Sequence, residues 1–132
     1  MSKKVIDQYQ GISPHGLPDL KVNGSLTVGE NIGDISGLKI AYKAYEISLK
    51  GEEPDIIGGL TGPQRFFIGW AKAWKNKQRP ETLSLQIQTD PHSPTEVRVN
   101  QVVRNLTSFY EAFNVCKEDK LYLPIEERID IW

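Results

Sequence analysis

The chain has 132 residues, 39% of them hydrophobic, which is enough for one domain, or part of one, with a buried core. Its formal net charge of −1 gives no indication of a nucleic-acid or membrane-surface partner, and no apolar run approaches the roughly 20 residues that span a membrane. The single cysteine, Cys116, excludes an intramolecular disulfide and a zinc site built from cysteines, and it favours a reducing compartment.

The first predicted element is a helix over residues 3–9. No N-cap residue precedes it, so the pattern resembles the end of a longer helix, and we expect Met1 to be an added rather than a natural start. Closely spaced Gly and Pro residues then predict an irregular loop over residues 11–24.

Apolar residues recur at helical spacing over residues 29–49 and predict a second helix. Thr27 is its predicted N-cap, and Glu30, three residues later, completes the pattern of a capping box. Gly33 and Gly37 each cost about 1 kcal/mol relative to Ala inside a helix. Their spacing indicates that another backbone or helix packs very close to this one.

A polar, glycine-rich segment predicts a second loop over residues 51–62. The third helix is predicted over residues 63–78, with Pro63 in its first turn and Pro80 after its end. Its apolar stripe consists of aromatic residues and one alanine: Phe66, Phe67, Trp70, Ala71 and Trp74.

The last third of the chain predicts shorter elements. A helix over residues 80–89 leads into a stiff, proline-flanked loop over residues 90–94, and residues 94–104 fit either a helical turn or an extended strand. Asn105 is the predicted cap of a helix that ends near residue 113, and a further turn lies in the C-terminal tail. The predicted fold class is therefore mainly α.

Glu30 and Asp34 stand four residues apart, so both carboxylates project from one face of the predicted helix. Pattern alone favours two solvated acids near a helix N-terminus, where the helix dipole stabilises them. The alternative is a metal ligand beside a carboxylate that orients a ligand histidine. A catalytic zinc of the two-histidine, one-glutamate type takes its glutamate from outside the His-Glu-x-x-His helix.

His92 lies between Pro91 and Pro94, and such a rigid loop suits a donor to a developing oxyanion. Arg98 can bind a carbonyl or a carboxylate through two parallel donors. On pattern alone, a histidine bonded to backbone and an arginine in an ion pair are the commoner outcomes. The other histidine, His15, is predicted to be an exposed loop residue.

Four segments in the same order resemble the neprilysin family of zinc endopeptidases: residues 23–34, 64–74, 89–100 and 110–113, with Trp132 at the end. The first runs Asn-Gly-Ser-Leu-Thr-Val-Gly-Glu-Asn-Ile-Gly-Asp, where the family has Asn-Gly-x-Leu-Thr-x-Gly-Glu-Asn-Ile-Ala-Asp. The third contains Asp-Pro-His-Ser-Pro and then Arg98, where the family has Asp-x-His-x-Pro followed by Arg-Val. The resemblance covers nearly the whole chain.

The resemblance implies that residues 1–132 are the C-terminal portion of a catalytic domain with a thermolysin-like zincin fold. Glu30 matches the third zinc ligand, and Asp34 the carboxylate that orients a zinc-binding histidine. His92 matches the donor that stabilises the tetrahedral transition state, and Arg98 the residue that binds the backbone carbonyl of the peptide.

Three further positions follow from the same resemblance. Ala73 and Trp74 match positions that line the pocket for the residue after the scissile bond, which in this family prefers large apolar side chains. Asn31 matches no catalytic residue, and a packing or positioning role is predicted for it.

The chain also departs from the family pattern. Gly33 stands where the family usually has Ala, which loosens the helix slightly, and Val97 replaces the usual aromatic residue before Arg98. No cysteine lies near Trp132, unlike in animal members with a disulfide-linked tail, which favours a microbial-type, PepO-like member. The expected compartment is the bacterial cytoplasm, with an extracellular or membrane-anchored parent as the alternative.

The His-Glu-x-x-His motif, which supplies two zinc ligands and the glutamate that activates water, is not in the sequence. We therefore expect the chain alone to have no peptidase activity and to bind little Zn²⁺. Its expected partners are an oligopeptide substrate and the N-terminal remainder of a longer parent protein, with no nucleic acid and no membrane contact from this chain.

Two other hypotheses remain open at this point. The chain could be a pseudoenzyme fragment or a non-catalytic peptide-binding module, with a groove formed by Phe66, Phe67, Trp70 and Trp74. It could also be a fragment that dimerises through surfaces that its missing half would cover.

Overall fold

The computed structural model describes residues 1–131, so the predicted match at Trp132 lies outside the described residues. Six α-helices lie within this range: α1 (Ser2–Tyr9), α2 (Gly24–Ser48), α3 (Gly62–Ala73), α4 (Pro80–Thr89), α5 (Thr95–Val103) and α6 (Thr107–Phe113). A 3₁₀ turn follows at Ile125–Glu127. The prediction of a mainly α chain is confirmed, since residues 1–131 contain no strand beyond one isolated bridge between Ile57 and Leu60.

Helix α2 begins at Gly24 and is capped by Asn23, so the prediction that Thr27 is the N-cap is wrong. The side chain of Asn23 accepts hydrogen bonds from the backbone N–H groups of Ser25 and Leu26 at 3.1 and 3.2 Å. The Thr27 hydroxyl instead donates to the Asn23 carbonyl from inside the helix. Two cap-type residues compete at this helix start, and the earlier one caps it.

Helices α1 and α2 pack at very short range, which requires glycine at position 24. A Cβ on Gly24 would lie 2.3 Å from the Ile6 carbonyl oxygen. Val5 and Tyr9 of α1 are completely buried. By contrast, a Cβ on Gly33 or Gly37 would meet no atom within 4 Å, so the close packing predicted there is not formed by residues 1–131.

Helix α3 begins with a capping box between Thr61 and Gln64, and it ends at Ala73 rather than at residue 78 as predicted. Residues 75–78 are all polar, so a longer helix would bury no additional apolar side chain. Helix α5 resolves the ambiguous segment in favour of a helix.

The N-cap position of helix α6 is Leu106, which makes no side-chain capping hydrogen bond, so the prediction that Asn105 caps this helix is also wrong. The buried Asn105 side chain accepts a hydrogen bond from the backbone of Ile129 at 2.7 Å and donates one to the Gln101 carbonyl at 2.6 Å. Its amide therefore fastens the C-terminal tail to α5 instead of starting a helix.

The hydrophobic core gathers side chains from four helices, the residue before α6 and the tail: Val5, Tyr9, Ile35, Leu38, Phe67, Val97, Val102, Leu106 and Ile129 are among its members. Helix α2 packs against α1 and α5, and α3 packs against α5 and α6. No helix within residues 1–131 is long and apolar enough to cross a membrane.

Three aromatic residues of the stripe on α3 contribute to the core. Phe67 is 3% exposed, and Phe66 and Trp70 pack against the buried cluster. The rings of Tyr42 and Phe67 stack at 5.3 Å between centroids, and Phe66 meets Tyr42 edge-on at 5.1 Å. Phe66, Phe67 and Trp70 therefore contribute to the core, and their packing gives no support for the peptide-binding groove considered from the sequence.

Candidate functional site

Helix α2, helix α5 and the loop before α5 bring together the four polar residues singled out from the sequence. Glu30 and Asp34 lie one turn apart on α2, as their spacing predicts. Arg98 lies on α5, and His92 lies in the loop that connects α4 to α5. Their side chains form one network of ion pairs.

Arg98 binds Asp34 through two parallel hydrogen bonds. Its Nε donates to Asp34 Oδ2 at 2.6 Å, and its Nη2 donates to Oδ1 at 2.7 Å. Both side chains are nearly buried, at 11% and 10% exposed. Hydrogen bonding to Asp34, partly offset by burial, raises the pKa of Arg98, so the guanidinium is a permanent charge in this network.

Two aromatic residues enclose this ion pair. The Arg98 guanidinium carbon lies 4.0 Å from the centroid of the Trp74 ring, within cation–π range. Tyr9 is fully buried, and its hydroxyl has no hydrogen-bond partner among the described residues. Burial, with the nearby charge of Asp34, raises the pKa of Tyr9, so this phenol stays neutral beside the pair.

Glu30 occupies the more open side of the network. Its Oε2 lies 3.2 Å from His92 Nε2 and 3.6 Å from Arg98 Nη2. The Glu30 and His92 side chains are both 44% exposed. A carboxylate in this position can exchange its present contacts for another cation, because two positive or polar partners already face it and solvent reaches it.

Asp90 orients the His92 ring, a contact that sequence reasoning missed. Asp90 Oδ1 lies 2.6 Å from His92 Nδ1 and also accepts the His92 backbone N–H at 2.8 Å. Chiefly through that backbone hydrogen bond, and then through the ring, His92 lowers the pKa of Asp90. The sequence signal was Asp90 itself, because an Asp side chain in a loop commonly accepts a hydrogen bond from the backbone N–H two residues later, here that of His92.

With Asp90 on one nitrogen and Glu30 on the other, the His92 ring can donate to both carboxylates only as an imidazolium. Of the two ring nitrogens, Nδ1 is held by Asp90, and Nε2 faces the half-exposed Glu30 carboxylate.

The remaining predicted positions divide. The Trp74 ring packs against the Arg98 guanidinium and belongs to the cluster, whereas Ala73 is exposed at the end of α3. His15 is exposed, and its backbone N–H donates to Glu96 at 3.0 Å. Asn31, for which a packing or positioning role is predicted, is buried and hydrogen-bonded on both sides.

These residues can supply part of the ligand set of a zinc site. Catalytic zinc takes three protein ligands, usually imidazole and carboxylate groups. Within residues 1–131 no three His, Cys, Asp or Glu side chains are placed to hold a metal ion together. Glu30 has the exposed carboxylate that a metal ligand needs, while Asp34 is engaged with Arg98. The donor set therefore fits one carboxylate ligand of a metal site and does not complete such a site within the described residues.

Comparisons with known proteins identify the family of the chain. The profile of Peptidase family M13 matches residues 1–129. The chain is 45% identical to Neprilysin-1 of Caenorhabditis elegans over 114 residues, which is 83% of this chain and 15% of that protein. It is 38% identical to the Neutral endopeptidase of Lactobacillus helveticus, over 98% of this chain and 18% of that protein.

The fold is similar to that of a solved zinc metalloprotease from Mycobacterium tuberculosis, crystallised with an inhibitor. The TM-score is 0.94 at 46% sequence identity, over 99% of this chain and 20% of that chain. The chain thus spans at most about a fifth of the relatives just described. These relatives come from animals and bacteria, so they leave the predicted bacterial origin undecided. Since the family profile covers nearly every residue, the chain belongs to Peptidase family M13, the neprilysin family of zinc metallopeptidases.

Proposed function

We propose that the chain is the C-terminal part of a zinc metalloendopeptidase that cleaves oligopeptides before large apolar residues. The observation that carries the proposal is the network of Glu30, Asp34, His92 and Arg98, which come from two helices and a loop and form ion pairs that are open to solvent at Glu30 and His92. The family supports the reaction class.

Glu30 is the proposed zinc ligand, through one carboxylate oxygen. Its position one turn before Asp34 leaves it half exposed while its neighbour is buried, so the metal would be reached from the open side. When bound, Zn²⁺ supplies Lewis acidity and an activated water molecule. Among the residues described here, Glu30 is the site's contribution to metal binding, and the other ligands belong to the remainder of the parent protein.

His92 is the proposed donor to the oxyanion that forms at the scissile carbonyl. Asp90 holds Nδ1 at 2.6 Å, so the opposite Nε2 edge faces the half-exposed Glu30 carboxylate. A donor fixed in advance stabilises developing negative charge without reorganisation during the reaction. The orientation of the ring therefore comes from this chain alone, before any substrate binds.

Arg98 is the proposed anchor for a substrate backbone carbonyl, and Asp34 the proposed partner of a zinc-binding histidine. Arg98 turns its Nε and Nη2 toward the carboxylates, which leaves Nη1 as the edge for a peptide carbonyl. Each Asp34 oxygen accepts one hydrogen bond from Arg98 and retains a second lone pair. Asp34 can therefore bind Arg98 and orient an imidazole at the same time.

The substrate preference rests on Trp74 and Ala73 at the end of α3. The Trp74 ring lies against Arg98, so an apolar surface borders the residue proposed to hold the peptide backbone. A large apolar side chain after the scissile bond would bury surface against these two residues, whereas a charged one would lose hydration there without a partner.

The compartment is a separate proposal, for which the bacterial cytoplasm is our choice and a secreted or anchored parent the alternative. It rests on cysteine use, since Cys116 is the one cysteine of the chain and is exposed as a free thiol. Cell fractionation of the parent protein in its own host tests it.

The experiment that tests the function compares the purified chain with the full-length parent protein. Each is given Zn²⁺ and a quenched fluorescent peptide with a bulky apolar residue after the scissile bond. We expect cleavage by the parent and none by the chain. Glu46→Gln changes an exposed acid on the same helix as Glu30 and is the control variant. The parent protein with this substitution should cleave the peptide normally. Hydrolysis at neutral pH by the chain alone would overturn the proposal.

A further inference from the structure

A chain of buried polar side chains links α2 to the loop that carries His92. The Ser93 hydroxyl donates to Asn31 Oδ1 at 2.8 Å, and Asn31 Nδ2 donates to Thr27 Oγ1 at 2.9 Å. The Thr27 hydroxyl then donates to the Asn23 carbonyl at 3.1 Å. Asn31 and Ser93 are each 1% exposed, so water does not compete for these hydrogen bonds.

Buried polar groups of this kind are retained only where their partners are accurately placed. Leaving a buried donor or acceptor unpaired costs about 1–3 kcal/mol, so a displaced loop would lose the Ser93 bond without gaining one to water. The hydrogen bond spans 62 positions of sequence and connects two separate elements. It therefore fixes the distance between the loop and α2 rather than the shape of either one.

The positions of the two partners give this link a specific consequence. Asn31 follows Glu30 directly on α2, and Ser93 follows His92 directly in the loop. Asp90 fixes the rotation of the His92 ring inside the loop, and Gln86 donates to the His92 carbonyl from α4 at 3.3 Å. Neither of these contacts reaches α2, where Glu30 lies.

We propose that Asn31 and Ser93 are positioning residues that hold His92 in register with Glu30. The inference rests on the proposed function for its importance to the reaction, but the geometry itself concerns this chain alone. The buried Asn31–Ser93 bond sets the separation of the metal ligand and the oxyanion donor, which face each other at 3.2 Å between Glu30 Oε2 and His92 Nε2. Catalytic groups must hold such separations closely, because a displacement of about 1 Å costs about a hundredfold in rate.

The test uses Asn31→Ala and Ser93→Ala, which break the same hydrogen bond from opposite sides. In the full 132-residue chain, the measured quantity is the nuclear Overhauser effect between the His92 ring protons and the Glu30 side-chain methylenes. We expect each variant, and the double variant to the same extent, to lose most of this signal. The Overhauser effect between Arg98 and Trp74 should persist and serves as the internal reference.

Two further variants separate positioning from general stability. Asn105→Ala removes another buried, hydrogen-bonded asparagine and should leave the His92–Glu30 signal unchanged. Ser93→Thr keeps the hydroxyl and should retain the His92–Glu30 signal that Ser93→Ala loses. If Ser93→Ala fails to fold, Thr27→Val provides a second test. It removes the hydroxyl that accepts a hydrogen bond from Asn31 and should give a smaller loss of the His92–Glu30 signal. A signal retained in Asn31→Ala and Ser93→Ala, or lost equally in Asn105→Ala, would overturn the inference.

A second readout uses the full-length parent protein. There, Ser93→Ala should lower kcat about tenfold or more with little change in KM, as when a partner that orients an active-site residue is removed. An unchanged kcat in a parent that cleaves peptides would contradict the inference. A wild-type parent that cleaves nothing would instead contradict the proposed function and leave the Overhauser measurement on the chain as the test.

Discussion

The polar cluster has a buried end and an open end, and the two are built differently. At the buried end, Arg98 and Asp34 are about one-tenth exposed, bound through two parallel hydrogen bonds and covered by Trp74. At the open end, Glu30 and His92 are 44% exposed and share a single contact of 3.2 Å. The buried end fixes geometry, since breaking a buried pair is strongly destabilising. The open end keeps spare acceptor and donor positions for ligands.

The largest expected effect is at the open end. Glu30→Ala in the full-length parent protein should abolish zinc-dependent peptide cleavage, because a metal site of three protein ligands would lose one of them. Thermal unfolding of the variant should stay close to that of the wild type, since the half-exposed side chain contributes little to the fold. Activity and the unfolding midpoint are measured on the same preparation. A variant with normal cleavage would contradict the division between the two ends.

His92→Ala should lower kcat of the parent by about a hundredfold to a thousandfold, with a smaller rise in KM, as for the loss of one oxyanion donor. The interaction is proposed to form mainly in the transition state, so binding of the ground state should change little. Steady-state kinetics with the apolar peptide give both constants. An unchanged kcat would refute the role given to His92.

At the buried end, Asp34→Ala should destabilise the chain by about 3 kcal/mol. The substitution leaves the Arg98 charge nearly buried, with Glu30 at 3.6 Å as its nearest remaining carboxylate. Urea unfolding followed by circular dichroism measures the change. Lys43→Ala, which removes an exposed ion pair with Glu46, is the control and should change stability by less than about 0.5 kcal/mol. Equal losses of stability in Asp34→Ala and Lys43→Ala would contradict the claim that the buried end of the cluster stabilises the fold.

The smallest effect is expected from Asp90→Asn and depends on pH. The folded state lowers the pKa of Asp90, so the ionised carboxylate stabilises the fold above its unfolded pKa of about 3.9. That contribution is lost as the pH falls through the lower, folded-state value. The wild type should therefore exceed Asp90→Asn in stability near neutral pH, and the difference should disappear in acid. Asp19→Asn, in an exposed loop, is the control and should change stability less than Asp90→Asn near neutral pH. A difference between the wild type and Asp90→Asn that widens in acid would contradict the prediction.

Local pattern predicted part of this site because part of it is local. Glu30 and Asp34 share a face through helical periodicity, and that phase holds although the helix begins at Gly24 rather than at residue 29. Sequence placed His92 in a stiff loop for the same reason, since proline restricts the backbone at its own position and at the one before it.

What the sequence did not reveal depends on contacts between distant segments. The Asn31–Ser93 bond spans 62 positions, and Asn105 is held by the tail and by α1 instead of capping a helix. Both asparagines are cap-type residues whose actual partners are set by packing. The start of α2 was misplaced because Asn23 and Thr27 both suit an N-cap, and the close approach at Gly24 belongs to tertiary structure.

Zinc titration of the chain and of the full-length parent protein, with and without Glu30→Ala, tests the central claim most directly. Calorimetry on metal-free samples gives the stoichiometry and the affinity in each case. We predict one tightly bound Zn²⁺ in the parent, weak binding in the chain alone, and affinity in the Glu30→Ala parent lowered by at least about tenfold. Tight one-to-one binding by the chain alone, or an unchanged affinity in the Glu30→Ala parent, would contradict the account.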